Sequence, residues 1–129
     1  MLKIGQTYEK ETVITEQMSA ISMHSGGLHL LATPCMIALL EEAALECVAS
    51  DLEPGSGTVG TKICVSHNAP TPIGMRVRAR ATLTAIDGRR LTFDLEAYDE
   101  KEQIGSGTHE RFVIDNERFQ KKCDGKRNG

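Results

Sequence analysis

The chain has 129 residues, 40% of them hydrophobic and 26% charged. That is the length of one domain with a full core, and the composition excludes a disordered chain. Fifteen Lys and Arg against 18 Asp and Glu give a net charge of −3, and there is no tryptophan. Neither the charge nor the aromatic content fits a nucleic-acid or membrane-surface partner.

The N-terminus, MLKIGQTYEKET, lacks the apolar stretch of a secretory signal. The longest mostly apolar run, Leu28 to Leu40, is too short to cross a bilayer. Four cysteines, at 35, 47, 64 and 123, form no C-x-x-C pair. They read as free or buried thiols of a cytoplasmic protein.

In chain order, residues 8–16 (YEKETVITE) predict a strand centred on Val13 and Ile14. Residues 17–32 have no clean period and are broken by Gly26 and Gly27, which suits a lid or binding loop. Residues 33–50 predict a helix: Thr33 is a good N-cap and Pro34 falls at the first helical position. Met36, Ile37, Leu39, Leu40, Ala43, Ala44, Leu45, Cys47 and Val48 cover most of its circumference, which predicts a buried helix. DLEPGSG ends it.

The rest reads as β. Val59, Thr61, Ile63, Val65 and His67 share one face by period two. After NAPTPIG, the series Met75, Val77, Ala79, Ala81, Leu83 and Ala85 alternates with Arg76, Arg78, Arg80, Thr82 and Thr84. Asp87-Gly88 signals a hairpin, and Leu91, Phe93, Leu95 and Ala97 make the return strand. A last strand covers roughly 103–114. The expected organisation is one domain over 1–119 and a charged, frayed tail over 120–129. Short turns between strands imply antiparallel pairing, hence an α+β fold with one buried helix. One helix covers only part of five strands, so a second copy is expected against the remainder.

Several residues invite chemistry. Gly55 to Gly60 matches G-x-G-x-x-G, but it follows a helix and opens a strand, the reverse of a dinucleotide site. His24 and His29 flank Gly26-Gly27 without a carboxylate or cysteine cluster, so no metal is expected. Thr33 sits at a helix mouth, beside free N–H groups that suit a developing oxyanion. Glu41 and Glu42 lie mid-helix about 100° apart, so at most one faces inward; otherwise both join Glu46 on a solvent stripe. His67 ends the inward face of its strand, as a core residue or as a general base. Thr33 and Glu41 are about 12 Å apart along the helix axis. They either bracket a substrate or belong to two subunits' contributions to one site. The arginines at 76, 78 and 80 form either a solvated face or a stripe that steers an anionic substrate.

Three blocks in order, ATPCMIALLEEAA, TVGTKICVSHNAPTPIGMRV and IGSGTHERFVID, resemble the hotdog-fold acyl-CoA thioesterases, in particular the fluoroacetyl-CoA thioesterase-like group. The likeness covers residues 8–119. It implies an antiparallel sheet wrapped round one long helix, a homodimer with sites at its interface, and hydrolysis of a small acyl-CoA thioester. It implies no cofactor beyond the coenzyme A of the substrate. By position, it implies catalytic roles for Thr33, Glu41 and His67, and substrate contacts at Gly60, Arg111, His24 and Gly27. The group's fluoroacetyl-specific member carries lid phenylalanines; residues 24–27 here have none, so the resemblance leaves the acyl-group specificity open, fluoroacetyl included. The rival readings are a non-catalytic acyl-CoA or small-ligand binding module, and a hotdog dehydratase. The latter usually needs an Asp/His pair near the helix start, which is absent here.

Overall fold

The structure, a computed structural model, describes residues 1–128. Its elements are β1 (Thr7–Val13), a 3-10 turn (Glu16–Met18), α1 (Thr33–Ala49), β2 (Ser56–His67), β3 (Arg76–Asp87), β4 (Arg90–Asp99), β5 (Gln103–Asp115), α2 (Asn116–Asp124) and a closing 3-10 turn (Gly125–Asn128). The strands form one sheet in the order β1-β3-β4-β5-β2, and every pairing is antiparallel. β1 and β2 are therefore its two edges.

Alternation builds the core. Val77, Ala79, Ala81 and Leu83 of β3 and Leu91, Phe93, Leu95 and Ala97 of β4 are buried. They join Met36, Leu39, Leu40, Ala43, Ala44 and Val48 of α1 in one cluster. Alanine on both facing surfaces lets the helix lie close to the sheet. α1 lies chiefly against β3 and β1 and touches β2 and β4 less. Its remaining face is open: Ala38, Leu45, Glu46 and Ala49 are exposed and Glu41 is half-buried. The helix is thus sunk on one side only, and the all-round burial expected from its composition does not occur within one chain.

Two β-bulges alter the simple period. In β2, Gly60 pairs with Arg111 and Lys62 with Glu110, so Thr61 is the extra residue. Thr58 and Gly60 face inward before the bulge; Ile63, Val65 and His67 share the inner face after it. The expected series Val59-Thr61-Ile63-Val65-His67 therefore holds only in its second half. In β3, the shift between Leu83 and Ala85 ends the buried series, and Ala85 and Ile86 are exposed. The β3–β4 hairpin turns through Gly88-Arg89, with Gly88 at φ 60° where a primed turn favours glycine.

The C-terminal region is also different from expectation. Residues 116–124 are helical, not a frayed tail, because Asp115 caps α2 by accepting the Arg118 N–H at 2.9 Å. Residue 129 of the expected tail lies outside the described residues.

Candidate active site

The loop between the 3-10 turn and α1 is tied at both ends. Ala20 N–H donates to Leu30 O at 2.8 Å, and Ala32 N–H to Met18 O at 2.9 Å. Residues 21–29 between these ties are exposed. Gly26, Gly27, Leu28 and Leu30 wall a groove of about 300 Å³ that ends on Thr33 and His67. His24 does not line it: it is exposed at the loop tip, with φ 57°. His29 is turned away to Glu16, 2.6 Å from it.

Thr33 is the first residue of α1 and not its cap. Ala32 holds the cap position in an extended conformation, and no side chain caps the helix. The Thr33 hydroxyl is engaged elsewhere, 2.7 Å from Nδ1 of His67. Pro34 has no N–H, and the amides of Cys35 and Met36 both donate to Ala32 O. Among the described residues this leaves the Thr33 amide as the free donor at the helix mouth, on the positive end of the helix dipole.

Burial holds the His67 pKa below its ordinary 6.5, so its ring is neutral at pH 7. Its Nε2 is buried without a hydrogen-bond partner among the described residues. A buried polar atom left unpaired is unusual and marks a place for a ligand or water. With Nδ1 accepting from the Thr33 hydroxyl, the neutral ring carries its own proton on Nε2 and is equipped to take the hydroxyl proton at Nδ1.

Glu41 belongs to a second cluster. It and Glu42 diverge as the helix geometry requires: Glu42 pairs with Lys10 at 2.9 Å, while Glu41 turns toward β2 and β5. A Cβ built on Gly60 would lie 3.3 Å from Glu41 Oε2, 3.2 Å from His109 Cε1 and 3.4 Å from Arg111 Nη1. Glycine at 60 thus keeps open the space on which the Glu41, His109 and Arg111 side chains converge. That space continues into a cavity of about 270 Å³ lined by Glu41, Gly60, Lys62, Ile63 and His109.

Arg111 is buried, which lowers its pKa, and the Glu41 charge opposes that shift. Its Nε donates to Thr58 Oγ1 at 2.8 Å, its Nη2 to Thr58 O at 2.9 Å, and its Nη1 lies 3.1 Å from His109 Nε2. His109 Nδ1 is 2.8 Å from Lys62 O. A carbonyl only accepts, so Nδ1 carries the proton and Nε2 accepts from Arg111. Burial pushes the His109 pKa down; the Lys62 carbonyl opposes this and the Arg111 charge adds to it.

The structure thus brings Thr33, His67 and Gly27 together, and separately Glu41, Gly60 and Arg111. His109 was missed from sequence. The available signal was its alternation with Arg111 in THERF, which puts both on the inner face of β5. The arginines at 76, 78 and 80 are matched by carboxylates: Arg76 with Glu11 at 3.2 Å, Arg78 with Glu9 at 2.6 Å and Arg80 with Glu96 at 4.0 Å. Their face is neutralised.

The profile of the fluoroacetyl-CoA-specific thioesterase family, FlK, matches residues 14–117. The fluoroacetyl-CoA thioesterase of Streptantibioticus cattleyicolor is 47% identical over 93 residues, which are 72% of this chain and 67% of that protein. A threonine-to-serine variant of FlK, solved in complex with acetyl-CoA, superposes with a TM-score of 0.92 at 35% identity, covering 97% of this chain and 98% of the other. A hot-dog-like protein from Thermanaerovibrio acidaminovorans shares the fold at 20% identity, with a TM-score of 0.88 over 97% of this chain and 93% of its own. The fold is the hotdog fold.

Proposed function

The chain belongs to the fluoroacetyl-CoA-specific thioesterase family and is an acyl-CoA thioester hydrolase, and we propose that Thr33, His67 and Glu41 carry its chemistry at a site shared by two subunits. The observation behind this reading is the 2.7 Å contact between the Thr33 hydroxyl and the neutral His67 ring at the end of an open groove.

In this scheme the acyl group lies in the groove walled by Gly27, and the free Thr33 amide receives the thioester oxygen as it gains charge. His67 takes the proton of the attacking oxygen, either Thr33 Oγ1 or a water beside it. A carbon–oxygen bond forms, the carbon–sulfur bond breaks, and the imidazolium returns the proton to the departing coenzyme A sulfur. Where Thr33 attacks, a second cycle with water frees the acid; trapping of an acyl-Thr33 separates the two routes. No resident cofactor or metal is required.

Glu41 lies about 12 Å along α1 from Thr33 and rotated from it, so it does not complete the Thr33–His67 pair within one chain. The open face of α1 and the free edge of β2 are the surfaces a second copy would cover. A homodimer built there brings the partner's Glu41, Gly60 and Arg111 to the first protomer's groove. Glu41 then orients or polarises the attacking water, and buried Arg111 anchors the carboxylate. The assignment of Gly60 and Arg111 as substrate-side residues follows from this arrangement, whereas His24 stands only at the entrance.

None of the helices described is long and apolar enough to span a membrane. Four free thiols, two of them exposed, suit the reducing cytoplasm.

The test is thiol release from a panel of acyl-CoAs, comparing the wild type with His67→Ala and Glu41→Ala. Turnover lost in both folded variants supports the reading. Undiminished turnover in either removes that residue from the mechanism.

A further inference from the structure

Between β2 and β3 runs the segment Asn68-Ala69-Pro70-Thr71-Pro72. Pro70 and Pro72 fix φ on either side of Thr71, which makes the segment a stiff strap. Asn68, Ala69 and Pro70 wall the groove that ends on Thr33 and His67. The strap is fastened at two points to the β4–β5 hairpin. At its near end, Ile104 O accepts the Asn68 N–H at 2.7 Å and the Ala69 N–H at 3.3 Å. At its far end, the Thr71 hydroxyl donates to Asp99 Oδ2 at 2.9 Å. Thr71 is fully buried, and its carbonyl accepts the Leu31 N–H at 2.9 Å. Leu31 is also bridged to Ser19, and it lies two residues before Thr33.

Asp99 is a fixed post for this strap. Its Oδ1 accepts the Lys101 and Glu102 amides at 2.8 and 3.0 Å, which leaves Oδ2 for Thr71. Burial pushes the carboxyl up, but the two amides and the Thr71 hydroxyl outweigh it and hold the carboxyl below its ordinary 3.8. Asp99 is therefore ionised at neutral pH, and a hydroxyl bonded to a charged oxygen makes the stronger kind of hydrogen bond. One oxygen is enough to close the turn. The other reaches a threonine 28 residues away, so closing the turn does not account for it.

We propose that Thr71 and Asp99 are positioning residues for the thioester site, holding one wall of the groove and the end of the loop before α1 in register with Thr33 and His67. Neither residue lines the groove. The relay runs from the β4–β5 turn through Asp99 to Thr71, then along the strap on one side and to Leu31 on the other. The strap begins next to His67, whose pKa burial lowers and the Ala69 backbone opposes. A shift of the strap therefore moves the base and the wall together relative to Thr33. A misplacement of about 1 Å costs up to about a hundredfold in rate. The proposal rests on the thioesterase reading and adds to it residues that act without touching substrate.

The test removes the Thr71–Asp99 bond from either side. Thr71→Val keeps the shape and loses the hydroxyl; Asp99→Ser keeps a short acceptor for the turn amides and cannot reach Thr71. Each should lower kcat for an acyl-CoA about tenfold or more, with KM within about threefold of wild type. Thr71→Ser, which retains the hydroxyl, should restore kcat. The double variant Thr71→Val/Asp99→Ser should be no slower than the slower single variant, because both changes break one bond. Wild-type kcat in folded Thr71→Val, or losses that multiply in the double variant, overturns the proposal and leaves the thioesterase reading intact. Absence of turnover in the wild type defeats that reading and takes the catalytic part of the proposal with it. Amide exchange tests the relay without turnover: Leu31 should exchange about tenfold faster in Thr71→Val, with Ala79 and Ala81 of β3 unaffected. Unchanged protection at Leu31 overturns the relay.

Discussion

His67 is held neutral by its surroundings, and this has a direct pH signature. Its pKa lies below 6.5 in the folded chain because burial disfavours the imidazolium. The activity should therefore persist below pH 6.5 and fall only as acid protonates the ring. A pH–rate profile measures this, and an inflection above 6.5 contradicts it. The same shift acts on stability, and His109 shares it. Between the folded and unfolded pKa values the unfolded chain binds more protons, so stability is present above about 6.5 and is lost as pH falls toward the folded values. Denaturant midpoints at pH 7.5 and pH 5.5 should differ in that sense. His67→Ala should cost about a hundred- to ten-thousand-fold in kcat, the range of a general base. His109→Ala acts differently: it removes the acceptor of Arg111 Nη1 and unpins Lys62 O. It should lower stability by about 1–3 kcal/mol, the cost of leaving buried polar groups unmatched, and a denaturation curve checks it. At this scale, Thr33, Glu41, His67, Gly60 and Arg111 stand out in the sequence as candidates because their residue types and spacing resemble a family pattern. The Thr33–His67 bond does not. A threonine before a proline satisfies the rules for a cap equally well, and only the three-dimensional approach of β2 shows where the hydroxyl goes.

Among the elements, the hairpin at Asp87-Gly88 and the alternation in β3 and β4 followed from local chemistry. Gly88 and the alternating small and large apolar residues leave few other arrangements. The bulges at Thr61 and beyond Leu83 were hidden, since a period-two pattern reads the same with or without one unpaired residue. The β2 bulge shapes the candidate site, because it lets Gly60 and Ile63 both face the His109–Arg111 pair. α2 was missed for a different reason. Its signals are present, with Asp115 as cap, Glu117 in the first turn, and Lys121 and Lys122 in the last. However, it buries no residue, and a short helix without packing is marginal by propensity alone. Asp115→Ala should therefore fray it. The loss should be about 0.5–2 kcal/mol and confined to α2, visible as faster amide exchange at residues 116–124 with β4 unaffected.

At the scale of the molecule, one sheet and one long helix leave α1 open along Ala38, Leu45 and Ala49, and β2 unpaired along its outer edge. Composition alone suggests a helix apolar nearly all round, and the structure leaves part of that apolar surface uncovered. In the proposed dimer, burial of that stripe and assembly of the site are the same event. The chain should elute at about twice its 14.1 kDa mass. Leu45→Glu, on the exposed stripe, should shift the population toward monomer and lower activity together, as sedimentation and thiol release measured on one sample would show.

The most direct measurement mixes two inactive proteins. His67→Ala protomers lack the base and Glu41→Gln protomers lack the carboxylate. If each site takes His67 from one subunit and Glu41 from the other, unfolding and refolding them together yields mixed dimers with one intact site. Random assortment then restores about a quarter of wild-type activity. A mixture that remains as inactive as its parents, with mixed dimers demonstrably present, would show that Thr33, His67 and Glu41 work within one chain and would contradict the shared site.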